Sequence, residues 1–328
     1  MTERWRIVVR RTGGPEVLER EPVGALIPGA GELLVRHEAI GLNFIDTYFR
    51  SGLYPVALPS GLGNEAAGIV EAVGEEVEEF REGDRVGYFH GERAAYATHR
   101  LISAKKVVPL PAGIDSETAA AVILKGCTAE FLIERCARVA AGETILVHAA
   151  AGGVGSILVP WLKSIGATVI AHAGSQAKAG LARELGADHA LSCPMEEVAA
   201  AVRTLTDGRG VETVLDGVGA ASWQASLASL ARRGLLVTFG NASGPVPPFS
   251  ALDLHRAGSI YVTRPSLTDY TATTQELRAS ADRLFDMIGK GAVAARIGAR
   301  YPLGEAAEAH RQLESRATTG STLLIPGP

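Results

Sequence analysis

Over the first 123 or so residues, apolar positions come in short runs. Examples are Arg6-Ile7-Val8-Val9, Glu32-Leu33-Leu34-Val35-Arg36 and Ala67-Gly68-Ile69-Val70-Glu71-Ala72-Val73. They are separated by turn formers such as Gly13-Gly14-Pro15, Pro28-Gly29-Ala30-Gly31 and Glu82-Gly83-Asp84. Short β-prone runs with this punctuation predict strands packed as a compact barrel or sandwich. From about residue 124 the rhythm becomes strand-helix alternation. Strands are predicted at 144–148, 168–171, 189–191, 213–215 and 235–239, with a sixth at 259–263. Helical patterns such as 156–165, 176–185 and 222–230 fall between them, the signature of a doubly wound parallel sheet. In the tail, Leu277, Leu284 and Ile288 predict one long helix over 269–290. Strands at 292–301 and 321–325 flank a helix at 305–315, and the last strand is expected to return to the N-terminal domain.

The most informative stretch is Glu143 to Gly155, ETILVHAAAGGVG. A buried strand runs into a glycine turn and a helix, the context that makes a glycine motif a dinucleotide site. Gly152 and Gly153 are expected to take tight-turn dihedrals and leave no side chain between backbone and pyrophosphate. Gly155 lets helix pack on strand, and the helix start offers N–H groups and a positive dipole end to phosphates. Ala149 stands where the motif usually has its first glycine.

An NAD site usually carries Asp or Glu after the second strand, for the ribose hydroxyls. No acidic residue occurs between Thr168 and Arg183. Instead Gly174-Ser175 and Lys178 supply a turn, a hydroxyl and a cation, which suit a 2′-phosphate that a carboxylate would repel. The expected cofactor is NADPH.

Bulk properties narrow the partners. The 328 residues imply about two domains. A net charge of −4 gives no electrostatic reason for nucleic acid or an anionic membrane as main partner. No apolar run reaches the roughly 18 to 20 residues of a membrane span. Cys127, Cys136 and Cys193 are too few and scattered for a disulfide framework, which suits reduced thiols in a cytoplasmic protein. The N-terminus reads as a polar start and a strand, not a signal peptide.

Several stretches together resemble the NADPH:quinone oxidoreductases (zeta-crystallin-like) of the medium-chain dehydrogenase/reductase superfamily, especially the bacterial ones. They are Asn43 to Tyr48 with Arg50 to Pro55, Pro59 to Gly68, Lys125-Gly126 with Thr128, Ala149 to Gly155, Phe239-Gly240-Asn241, Tyr261 to Pro265 and Glu314 to Thr318. The resemblance runs nearly end to end. It implies a Rossmann domain over 124–266 and a GroES-like β-barrel catalytic domain over 1–123 and 267–328. A cleft between the two would hold nicotinamide and substrate, and Rossmann edge strands, with 261–263 the candidate here, would pair in a homodimer.

Residue roles follow from the same resemblance. Asn43 and Tyr48 would hydrogen-bond the ribose, nicotinamide or substrate oxygen, with Tyr48 a weak proton donor. Phe44 and Asp46 would lie along the cofactor, Asp46 equally well as a turn residue. Lys125, expected at a helix start, would reach a cofactor ribose or phosphate, with Thr128 nearby. Gly152, Gly153 and Val154 would face the pyrophosphate, and Gly174, Ser175, Lys178 and Cys193 the adenosine end. Gly217, Phe239, Gly240, Asn241 and Thr263 would line the path to the nicotinamide, and Arg316 would close over the phosphates. Tyr54 and Glu130 would line the substrate side. Three positions depart from the family's habit: Cys193 and Glu130 stand where tyrosine is common, and Gly217 where a serine is.

Alcohol dehydrogenases of this superfamily place Cys and His-Glu where this chain has Asn43 and Gly63-Asn64-Glu65. One glutamate cannot supply the three protein ligands of a catalytic zinc, and the eight histidines show no paired spacing. No metal is expected. A quinone is electron-poor and accepts a hydride, or electrons, without metal polarisation, so the protein mainly aligns two rings and excludes water. Two alternatives stay open: a reductase of conjugated enones or alkenals, and a non-catalytic NADPH-regulated RNA-binding or structural protein.

Overall fold

The computed structural model describes residues 3–89, 92–315 and 318–327. The chain forms two compact units. One comprises residues 1–125, 272–285 and 295–328, and the other 126–271 and 286–294.

The first unit is built on a seven-stranded sheet. In order across it stand Ile297–Pro302, Ser321–Ile325, Glu32–Leu42, Glu65–Val73, Arg85–Phe89 and Val108–Pro109, with His99–Ser103 also paired to Glu32–Leu42. Strand Ser321–Ile325 pairs antiparallel with Glu32–Leu42 through Leu323↔Gly41, so the tail does return to the N-terminal sheet. A small sheet of Leu18–Pro22, Trp5–Val9 and Ser60–Gly61 completes the β layer. Leu33, Val35, Ile40, Tyr88, Tyr96 and Leu324 are all buried in one core. At about 1.5–3 kcal/mol per large apolar side chain, this core holds the site residues below in place.

The second unit is the doubly wound domain. Its six strands lie in the order His189–Leu191, Thr168–His172, Thr144–His148, Val211–Asp216, Leu230–Thr238, Tyr261–Thr263. All are parallel. Strand Thr144–His148 is central, and the chain winds outward from it in both directions. The glycine turn therefore lies at the carboxyl end of the strand where the winding reverses, the place at which such sheets take ligands.

Two expectations in the tail need correction. The single helix over 269–290 is two: Leu267–Tyr270 and Thr274–Gly289. Thr273 begins the second with a reciprocal cap, its Oγ1 accepting from the Glu276 amide while the Glu276 carboxylate accepts from the Thr273 amide. The strand expected over 292–301 starts only at Ile297.

Candidate active site

In the first unit, strand Glu32–Leu42 ends at Asn43, which starts helix Phe44–Ser51. The Asn43 amide donates to Asp46 Oδ2 at 2.9 Å, and the Asp46 amide donates to the Asn43 carbonyl at 3.0 Å. The Asn43 side chain turns inward, its Nδ2 donating to Glu65 Oε1 at 2.7 Å. Lys125 Nζ donates to the same oxygen at 2.6 Å, and the Leu124 amide to Glu65 Oε2 at 2.8 Å. Glu65 is fully buried, and a buried carboxylate survives only when so paired. Gly41 makes this approach possible, because a Cβ there would fall on Glu65 Oε1 and the Ala120 carbonyl.

Lys125 is not at a helix start. It lies well inside helix Ser116–Glu130, whose Ala-rich sequence carries the helix past Gly126. Tyr48 is buried on the helix that Asn43 starts, and Tyr54 packs edge-on against it at 5.2 Å. Tyr54 is thus half-buried. Phe44 is half-buried against the sheet core. Asp46 is fully buried, with both oxygens accepting from protein groups.

Zinc does not fit this donor set. The three positions hold two carboxamides and a carboxylate already engaged by an ammonium, an amide side chain and a backbone N–H. Among the described residues no group of three or more His, Cys, Asp or Glu side chains is placed to hold a metal ion.

In the second unit, the glycine turn follows strand Thr144–His148 and helix Gly155–Ile165 begins at its end. Neither Gly152 nor Gly153 takes a positive φ; the left-handed residue is Ala149, at φ 52°. The motif's alanine therefore bears the strained backbone, at a cost of about 1–2 kcal/mol. A Cβ at Gly152 would meet only the Ala149 carbonyl, at 3.1 Å, whereas one at Gly155 would collide with the backbone of Ala149 and Ala150. Gly155 thus serves helix-strand packing, and Gly152 leaves open backbone. Val154 is the N-cap, and no side chain caps the helix there.

After the second strand, Gly174 and Ser175 are exposed and Ser175 caps helix Gln176–Glu184, its Oγ accepting from the Lys178 amide at 3.3 Å. Lys178 is half-buried one turn in. Cys193 follows the adjacent strand His189–Leu191, and its carbonyl accepts from His172 Nε2 at 3.1 Å. Beyond Val211–Asp216, a Cβ at Gly240 would strike the Gly217 carbonyl, and one at Gly217 would touch the Phe239 ring at 3.0 Å. Phe239, Gly240 and Asn241 are half-buried at the end of strand Leu230–Thr238, and Thr263 ends edge strand Tyr261–Thr263. Thus Gly152 to Val154, Gly174, Ser175, Cys193, Gly217 and Phe239 to Asn241 all stand at carboxyl ends of strands. This bare backbone rim, with a hydroxyl, a lysine and a helix start, fits a dinucleotide.

Thr128 is half-buried and Glu130 fully buried near the end of helix Ser116–Glu130. The Glu130 carboxylate accepts from Arg135 Nη2 at 2.7 Å. A π-helical turn, Phe131–Ala137, sets Phe131 on the Tyr270 ring at 4.6 Å. Arg316 lies outside the described residues.

Histidine pairing is invisible in linear spacing but present in space. His148 and His172 face each other in parallel register with their Nδ1 atoms 3.2 Å apart. Burial holds both below the usual imidazole range, His148 at about 4.

Among known families, the alcohol dehydrogenase GroES-like domain matches residues 29–133 and the zinc-binding dehydrogenase family matches 153–286. The quinone oxidoreductase of Pseudomonas aeruginosa is 50% identical over 98% of this chain and 99% of its own. The chain belongs to the quinone oxidoreductase family of the medium-chain dehydrogenases/reductases. The crystal structure of the family's Escherichia coli member complexed with NADPH superposes with a TM-score of 0.96. It is 45% identical, covering 98% of this chain and 100% of that one. A 2-haloacrylate reductase of a Burkholderia species is 38% identical over 97% of this chain and 98% of its own. The zinc in the second family's description has no counterpart in the donors at Asn43, Asn64 and Glu65.

Proposed function

We propose that this chain is an NADPH-dependent quinone reductase that works without zinc. The observation that carries the reading is chemical. Where a zinc dehydrogenase polarises its substrate, this chain has a buried carboxylate saturated by Lys125, Asn43 and the Leu124 amide. A site without a Lewis acid suits an acceptor that is already electron-poor. Bound there, NADPH would supply a hydride, which together with one proton from water would convert a quinone to its hydroquinone. The cofactor assignment is supported by the Escherichia coli relative crystallised with NADPH and by the acid-free turn around Ser175 and Lys178.

The unit holding residues 126–271 is the cofactor-binding domain. In it Gly152, Gly153 and Val154 present backbone N–H groups to the pyrophosphate. Gly174, Ser175 and Lys178 hold the 2′-phosphate, with Cys193 beside them offering no phenol. Gly217, Phe239, Gly240, Asn241 and Thr263 form the wall along the cofactor. Asn43 and Tyr48 orient the nicotinamide and the acceptor oxygen, and Lys125 and Thr128 attend the ribose. Edge strand Tyr261–Thr263, with Tyr261 63% exposed, pairs with a second copy in a homodimer in the cytoplasm.

The test mixes purified protein, NADPH and 1,4-benzoquinone or 1,2-naphthoquinone and follows nicotinamide absorbance. Quinone-dependent oxidation that a zinc chelator leaves unchanged is expected. Tight NADPH binding with no oxidation by any quinone would overturn the reading. The 2-haloacrylate reductase relative favours a second acceptor class, activated carbon-carbon double bonds. Enones run in the same assay decide between the two by kcat/KM.

A further inference from the structure

A second buried polar chain lies behind Asn43, and the proposed reaction makes no use of it. Arg50 Nη1 stands 3.0 Å from His310 Nδ1, His310 Nε2 stands 3.0 Å from the Tyr96 hydroxyl, and Tyr96 donates to Asp46 Oδ2 at 3.1 Å. Asp46 Oδ1 accepts from Asn64 Nδ2 at 2.7 Å, and Oδ2 also accepts from the Asn43 amide. None of Arg50, Tyr96, His310 and Asp46 is more than 2% exposed.

The direction of every bond follows from one group. Arginine only donates and keeps its protons. So His310 Nδ1 is the acceptor, and Nε2 of the neutral ring carries the hydrogen given to Tyr96. The Tyr96 hydroxyl then gives its own hydrogen to Asp46. Burial supports the neutral imidazole, holding His310 down at about 3. The chain cannot ferry protons to solvent, because it begins at a guanidinium. Its polarity does something else: it aims donors from three segments at one carboxylate.

We propose that Asp46 is the positioning residue of this site, its ionised carboxylate fixing the Asn43 backbone and the Asn64 side chain, and that Tyr96, His310 and Arg50 form the relay that holds it ionised. This rests on the proposed role of Asn43 in the reductase. Burial raises Asp46 to about 7, against the donors from Asn43, Asn64 and Tyr96 that lower it. Glu65 on the neighbouring strand also raises it, and Lys125 offsets Glu65. Arg50 is held at the far end by Glu314, whose oxygens accept from Nη1 and Nη2 at 3.1 and 2.6 Å, and by the Gly13 carbonyl. When Asp46 takes a proton, its oxygens accept more weakly from their three donors, and the cap on Asn43 loosens.

The decisive experiment is the pH profile of kcat/KM for quinone-dependent NADPH oxidation in four variants. The parent should lose activity below an acid limb near neutrality, and Asp46→Asn should show no limb. Tyr96→Phe removes a donor, so the limb should move up by about half to one pH unit. His310→Leu should do the same. His310→Gln keeps an acceptor for Arg50 and a donor for Tyr96, so its limb should stay at the parent position. A purely structural role predicts equal losses for His310→Leu and His310→Gln with no movement of the limb, and that overturns the proposal. If no quinone is reduced at any pH, the functional reading falls on its own. The infrared band of the protonated Asp46 carboxyl, assigned by its loss in Asp46→Asn, then decides. A titration moved by Tyr96→Phe and His310→Leu but not by His310→Gln supports the relay, and an unmoved one overturns it.

Discussion

Glu65 is the residue on which the metal-free reading turns, and its partnership with Lys125 is a buried ion pair, with relative side-chain exposures of 0% and 5%. Such a pair adds little net stability over an apolar replacement, because both charges were taken from water. Removing one member is different, since it strands the other. Lys125→Met should therefore cost about 3–5 kcal/mol of unfolding free energy, and Glu65→Gln a similar amount. The double variant strands no charge, so it should cost clearly less than the two losses combined. Urea titrations of the four proteins measure the coupling. Strict additivity would mean that Asn43 and the Leu124 amide, not the ammonium, hold the carboxylate. Arg135 and Glu130 form a comparable pair, but the Arg135 side chain is 31% exposed, and solvent weakens that contact.

At the scale of elements, the glycine turn separates two jobs that a motif merges. Gly155→Ala drives a methyl into the backbone of Ala149 and Ala150. Its helix-propensity gain of about 1 kcal/mol is outweighed, and a net loss of about 3 kcal/mol is expected in urea unfolding. Gly152→Ala meets one oxygen at 3.1 Å, so stability should fall by about 1 kcal/mol or less. Its methyl would stand where a pyrophosphate approaches, and the NADPH Kd should rise at least about tenfold by calorimetry. The reverse ranking would place the phosphate elsewhere. These elements were readable from the chain. Strand Thr144–His148 begins and ends where the apolar run does, because a strand buried on both faces writes itself as a continuous apolar segment. The rest was hidden for physical reasons. Asn43, Glu65 and Lys125 meet only through strand register and helix placement, and Arg50 finds Glu314 across 264 positions of sequence. His148 and His172 look unrelated until parallel pairing sets them side by side. The long tail helix breaks for a local reason: Thr273 and Glu276 carry a capping box inside an otherwise helical pattern.

For the whole molecule, buried imidazoles set the acid limit of stability. His37 is fully buried between the Ala97 carbonyl and the Tyr88 hydroxyl, and desolvation lowers it to about 3. His310 is lowered to about 3 and His148 to about 4 by the same cause. Unfolded, each titrates near 6.5, so below that pH the unfolded chain binds protons that the native state refuses. Stability contributed by these three groups is complete above 6.5 and is lost as pH falls toward their native values. Asp46 runs the other way: its native value is raised above the usual carboxylate, so between about 4 and 7 acidification favours the native state. Three groups outweigh one. Each contributes at most about 1.4 kcal/mol per pH unit, so the net loss from pH 6.5 to 5 should be roughly 3 kcal/mol. His37→Gln keeps a donor for Ala97 and an acceptor for Tyr88 but cannot titrate, so it should cut that loss to about half. Urea unfolding of both proteins at the two pH values measures it. An undiminished loss in the variant, or a parent that gains stability on acidification, would mean that these rings reach solvent or carry a proton in the folded state.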